Sequence, residues 1–163
     1  MATRVGRSDA AQPRDLTDLW LLVELSAMRK LADRGLSDQE LAVTRKLAGA
    51  TARSARNGDV LGYLEADKAF HLCLLELTGD SALSQVARLL LAPDPRQAPR
   101  GEESGQQMAA GARDHHELVN MLSDGMVSAA DDLLRHHVSR LQADRPAPVP
   151  VLAGSEYIRD QGA

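Results

Sequence analysis

Apolar residues recur at helical spacing along most of the chain. Leu16, Leu19, Val23 and Ala27 fall at i, i+3, i+7 and i+11, which predicts an amphipathic helix from Asp15 to about Arg34, with Gly35 at its C-terminal end. Ser37-Asp38-Gln39-Glu40 then reads as a capping box, in which a hydroxyl meets the N3 amide and a carboxylate returns to the N-cap amide. The helix it opens turns Leu41, Thr44, Leu47 and Ala48 inward and ends near Asn57-Gly58. Asp59 is the expected N-cap of a third helix that runs through Leu77 and is closed by Gly79. Asp80 or Ser81 caps a fourth, carrying Leu83, Val86, Leu89 and Leu90 before Pro93. Residues 93–106 hold three prolines and two glycines without apolar period and read as a loop. Helix resumes near Gln107, stops at Gly125, and a last helix covers about 126–143.

Strand-like alternation, heptad arrays and internal repeats are missing from the sequence. The expected fold is all-α: a single antiparallel bundle of about six to seven helices over residues 15–144. A disordered leader (1–14) precedes it and a Pro-rich extended tail (145–163) follows. Composition agrees, because aromatics are only 2% of the chain and its apolar content is mostly Leu, Ala and Val. A net charge of −4 gives no electrostatic footprint for nucleic acid or anionic membrane. One cysteine, Cys73, excludes an internal disulfide and fits a reducing compartment. With no membrane-length apolar run and no secretory signal, a cytoplasmic protein is expected.

The five histidines change the picture from packing to chemistry. They occur at His71, His115–His116 and His136–His137, each place on a predicted helix. From His115, steps of +3, +4 and +7 reach Leu118, Val119 and Leu122, whereas His116 meets Asn120 and Ser123. His137 lies in line with Val127, Ala130, Leu134 and Leu141, whereas His136 neighbours Asp132 and Arg140. Helical facing therefore turns His115 and His137 inward. Asp67 and His71 stand at i and i+4 on a face shared with Leu64 and Leu74–Leu75. An inward carboxylate needs a cation, a donor or a proton. Three imidazoles and a carboxylate from three helices make an N₃O donor set that suits Zn²⁺, and also Ni²⁺, Co²⁺, Fe²⁺ or Mn²⁺. Taken alone, the Asp67–His71 pair is equally compatible with a simple hydrogen bond.

The motifs LSDQELA (36–42), NGDVLGYLEADKAFH (57–71), LELTGDSAL (75–83), DHHELVNMLSDG (114–125) and AADDLLRHHVSRL (129–141) carry a resemblance, as does Val23-Glu24 on the first helix. In this order they resemble the FCD effector-binding domain of GntR-superfamily transcription regulators, in the FadR-like branch. The D-x-x-x-H motif, a His ten residues before Gly125 and a His twelve residues after it are together the specific part. The resemblance implies a metal held by Asp67, His71, His115 and His137, with a small organic acid binding beside or onto it. It also implies a homodimer. Where many relatives place an arginine four residues before the glutamate of the first helix, this chain has Trp20. Trp20 and Tyr63 are the candidate lining of the effector pocket, and Trp20 points to a less charged effector.

Relatives carry a winged helix-turn-helix ahead of this domain, and only the short leader stands before Asp15 here. No direct nucleic-acid binding is therefore expected of the chain, nor any membrane association. The leading expectation is a metal-dependent, non-enzymatic sensor of a carboxylate. The alternatives are a metal-dependent hydrolase or other small metalloenzyme, and a metal-free helical interaction protein. A general base, a nucleophile motif and a Gly-rich phosphate loop are all lacking.

Overall fold

The computed structural model describes residues 13–90 and 103–143. These form six helices: α1 (Pro13–Arg34), α2 (Asp38–Arg56), α3 (Val60–Leu77), α4 (Ser81–Leu90), α5 (Glu103–Ser123) and α6 (Val127–Ala143). Residues 1–12 of the expected leader, the tail and residues 93–102 of the expected loop lie outside the described residues.

Local signals account for most of the boundaries. The capping box forms as read, with Ser37 Oγ accepting from the Glu40 amide at 3.3 Å and Glu40 Oε2 accepting from the Ser37 amide at 2.8 Å. Asp59 caps α3 by accepting from the Gly62 amide at 2.9 Å. Gly58 and Gly125 hold φ of 66° and 71°, a left-handed turn that a Cβ would strain, and the chain reverses there from α2 into α3 and from α5 into α6. Arg34 fastens three helix ends, donating to Glu40 at 2.9 and 3.1 Å and to the Leu77 carbonyl at 2.9 Å.

Two boundaries differ from expectation. The first helix starts at Pro13, inside the expected leader, because proline at the first helical position loses no intrahelical bond. The fifth starts at Glu103 rather than near Gln107. An isolated glycine such as Gly105 costs a helix only about 1 kcal/mol, so it does not stop the helix from starting earlier.

In the packing, α2 lies against α3 and α5, α6 against α1 and α5, and α4 against α1 and α3. The main core joins Trp20, Met28 and Leu31 of α1 to Phe70, Leu74 and Leu75 of α3, Leu118 and Leu122 of α5, and Leu134 and Val138 of α6. A second apolar cluster, between α2, α3 and α5, gathers Tyr63, Met108 and Ala112. Two residues expected inside are outside: Leu19 is 43% exposed and Leu89 is 78% exposed. On α1 the buried residues are Trp20, Val23, Glu24, Leu25, Ala27, Met28 and Leu31, so Val23 and Ala27 of the expected stripe are inside and Trp20 stands in place of Leu19. The larger Trp20 takes the interior and Leu19 is rotated out. On α4 the buried residues are Ser84 and Ala87, small enough for close approach to α1 and α3, and Leu89 lies beyond that contact.

Candidate metal centre

Helical spacing brings the site together. Tyr63, Asp67 and His71 succeed one another by four residues on one face of α3, and His115 of α5 and His137 of α6 meet them from the other side. His71, His115 and His137 are buried and Asp67 is half-buried, while His116 and His136 are exposed. The three inward rings form a triangle, with centroids 5.1 Å apart for His71–His115, 5.4 Å for His71–His137 and 5.0 Å for His115–His137. Phe70 stacks on His115 at 4.3 Å and fixes that ring from behind.

One donor atom from each of Asp67, His71, His115 and His137 lies within 4.8 Å of the others. Donors bonded to one ion at about 2.0–2.2 Å stand at most about 4.4 Å apart, so the widest of these spacings would have to close by a few tenths of an ångström around an ion.

Sequence reasoning did not anticipate the residues behind the imidazoles. Each ring spends its Nδ1 on a protein partner. His71 Nδ1 contacts buried Glu24 Oε1 on α1, and since a carboxylate only accepts, the nitrogen carries the hydrogen. Thr51 on α2 gives its hydroxyl hydrogen to the Ala48 carbonyl at 2.8 Å, leaving its oxygen to accept from His115 Nδ1 at 3.2 Å. Asp114 on α5 accepts from His137 Nδ1 at 3.0 Å and is itself held by Arg140. Whenever a ring is neutral, its Nε2 is thereby left with a lone pair. The Nε2 atoms of His115 and His137 are buried without a hydrogen-bond partner. His115 Nε2 sits 3.3 Å from Asp67 Oδ1, and His71 Nε2 sits 3.8 Å from the same oxygen. Acceptors facing acceptors in a buried space repel unless a cation or proton lies between them, so the residues present fit a divalent ion.

The charge states follow from these neighbours. Burial pushes His115 down, and the charge of His71 adds to that, leaving it at about 4. His137 is likewise lowered to about 4 by burial and by the charge of His71. His71 goes the other way. Burial disfavours its charge, but Glu24, by charge and by hydrogen bond, and Asp67 outweigh it and lift the group to about 9. Burial would raise Asp67, yet its contact with His115 and the charge of His71 hold it well below the usual carboxylate range. Without an ion, the proton of the cluster resides on His71, whose Nε2 then faces Asp67 as an N–H, while His115 and His137 keep their Nε2 lone pairs.

Of the two expected pocket residues, Trp20 lies edge-on to His71 with ring centroids 5.8 Å apart. Tyr63 reaches toward α5, where a Cβ built on Gly111 would stand 2.2 Å from the phenol oxygen, 3.5 Å from Cζ and 3.6 Å from His137 Cε1. Gly111→Ala should therefore displace the phenol and destabilise the fold by roughly 1–3 kcal/mol, the usual cost of overpacking. Tyr63→Phe in the same chain should restore most of the loss, because only ordinary contact with Cζ remains. Urea melts of the two single variants and the double variant check this, and an additive double variant would contradict it.

A family model described as the FCD domain matches residues 15–140 of this sequence. The chain belongs to the FCD-domain family. FCD domains are parts of GntR-family transcription regulators, which are not enzymes. Among solved structures the FCD domain is similar to Lar, which controls the expression of the Listeria monocytogenes agr system and mediates virulence. The two have a TM-score of 0.65 and 15% sequence identity over 79% of this chain and 60% of that one. At that identity the likeness concerns the fold, and this FCD domain spans 60% of the Lar chain, less than two thirds of its length. No curated protein matches the sequence.

Proposed function

We propose that this FCD domain senses a small carboxylate through a divalent transition ion, Zn²⁺ first and Ni²⁺, Co²⁺, Fe²⁺ or Mn²⁺ as close competitors, held by Asp67, His71, His115 and His137. The observation that carries the reading is the pair of buried, unpartnered Nε2 atoms of His115 and His137, turned toward Asp67 by hydrogen bonds at the opposite ring nitrogen. A cluster satisfied within itself would leave no such atoms, which disfavours a metal-free interaction protein. Four protein donors leave a five- or six-coordinate ion one or two positions for an oxygen ligand. Three neutral imidazoles and one carboxylate leave the ion with net positive charge, which an organic acid neutralises in a site of low dielectric.

GntR-family membership supports a regulatory role and pairing with a second copy. Light scattering at tens of micromolar should give about twice the 17.6 kDa of the chain. The free thiol of Cys73 suits the cytoplasm, and no helix among the described residues is long and apolar enough to cross a membrane.

Thermal shifts with mono-, di- and tricarboxylates on metal-loaded and chelated protein test the sensing role. An acid at one hundred times its Kd adds about 2.7 kcal/mol of stability to the loaded form. Equal shifts in both forms would place the acid away from the metal, and no shift with any acid would refute the sensing role.

A further inference from the structure

Tyr63 is built for more than packing. Its ring lies in the apolar cluster with Met108 and Ala112, against Ala52, Val60 and Leu64, where a phenylalanine ring would serve as well. The side chain is buried, yet no described residue forms a hydrogen bond with its hydroxyl. The hydroxyl is not among the fully buried unpartnered atoms, so it opens on space that a bound molecule can reach while the ring stays packed. The hydroxyl is also given a place. Gly111 supplies the space, since any side chain there would overlap the phenol oxygen at 2.2 Å, and that same point is 3.6 Å from His137 Cε1, one bond from the unpartnered Nε2. Tyr63 stands one helical turn before Asp67 on the face that carries Asp67 and His71.

We propose that the Tyr63 hydroxyl, seated beside His137 by the lack of a side chain at Gly111, donates a hydrogen bond to an oxygen of the anionic ligand at the metal centre. Tyr63 is then a specificity-determining residue for an oxyanion with one oxygen on the ion and another free to accept. The inference rests on the metal reading above and extends it to the ligand's second oxygen. It assigns the phenol no part in holding the ion.

The test loads the full chain with Co²⁺ and titrates acetate, following the visible cobalt bands, while chelator competition measures cobalt affinity separately. Tyr63→Phe should weaken acetate about tenfold or more, as expected for a lost hydrogen bond to a charged acceptor, with cobalt affinity changed less than about twofold. Gly111→Ala, which keeps the hydroxyl but displaces it, should weaken acetate to a similar degree. The double variant should bind acetate no more weakly than Tyr63→Phe alone, because both substitutions remove one interaction. Acetate affinity unchanged by Tyr63→Phe in a cobalt-loaded protein would overturn this inference and leave the metal reading standing. Weakening by Gly111→Ala alone would likewise overturn it, as a packing effect. Failure of the unsubstituted protein to bind Co²⁺ would overturn the metal reading and this inference with it.

Discussion

Purified without chelator, the protein should carry about one divalent transition ion per chain, and stripping it should lower the melting temperature by roughly 8–16 °C. That range follows from an ion at a thousand times its Kd, which stabilises by about 4.1 kcal/mol, and from a shift of about 2–4 °C per kcal/mol for a domain of this size. His71→Ala and His137→Ala should lose the ion, since each removes a donor that its Nδ1 partner has already oriented. His116→Ala and His136→Ala should retain it, because both side chains point into solvent. Elemental analysis alongside thermal melts reads both effects at once. Metal retained in the first pair and lost in the second would disprove the assignment.

The second large effect is on pH. His71 is raised to about 9 in the folded, metal-free protein, above its ordinary 6.5. Its proton therefore stabilises that state fully below pH 6.5, and the contribution is lost as pH rises through about 9. His115 and His137 are lowered to about 4, so their neutral forms stabilise the fold above pH 6.5, and that contribution is lost as pH falls toward 4. Two consequences follow. The metal-free protein should lose stability between pH 6.5 and 4. Metal binding between pH 6.5 and 8 should release about one proton, from His71, so that affinity rises about tenfold per pH unit. Calorimetry in buffers of different ionisation enthalpy counts the proton, and a chelator-competition series gives the slope. A flat profile over that interval would show that His71 does not exchange a proton for the ion.

The four clustered residues were legible because helical period decides between adjacent histidines. One residue is a rotation of about 100°, enough to send His115 to the core and His116 to water. The partners behind them were less legible. Glu24, Thr51 and Asp114 are ordinary polar residues on their own helices, and each becomes part of the site only through a ring supplied by another helix. A trace existed for Glu24, a carboxylate on the same buried stripe as Trp20, Ala27, Met28 and Leu31. The exposure of Leu19 has a related origin. Leu19 and Trp20 both lie within the arc that Val23 and Ala27 define, and the period alone does not say which of the two packs against His71 in the core.

The cluster draws on α1 through Glu24, α2 through Thr51, α3 through Asp67 and His71, α5 through His115 and Asp114, and α6 through His137, while α4 contributes nothing to it. An ion at its centre would weld five helices into one cooperative unit, whose backbone amides could exchange with solvent only when the whole unit opens. The short α4, which among the described residues packs only on α1 and α3, would stay outside that unit and fray on its own, faster clock. Loading the site would thus divide the bundle into a slow body and a quick appendage, a contrast in local opening that the static packing of six similar helices does not announce.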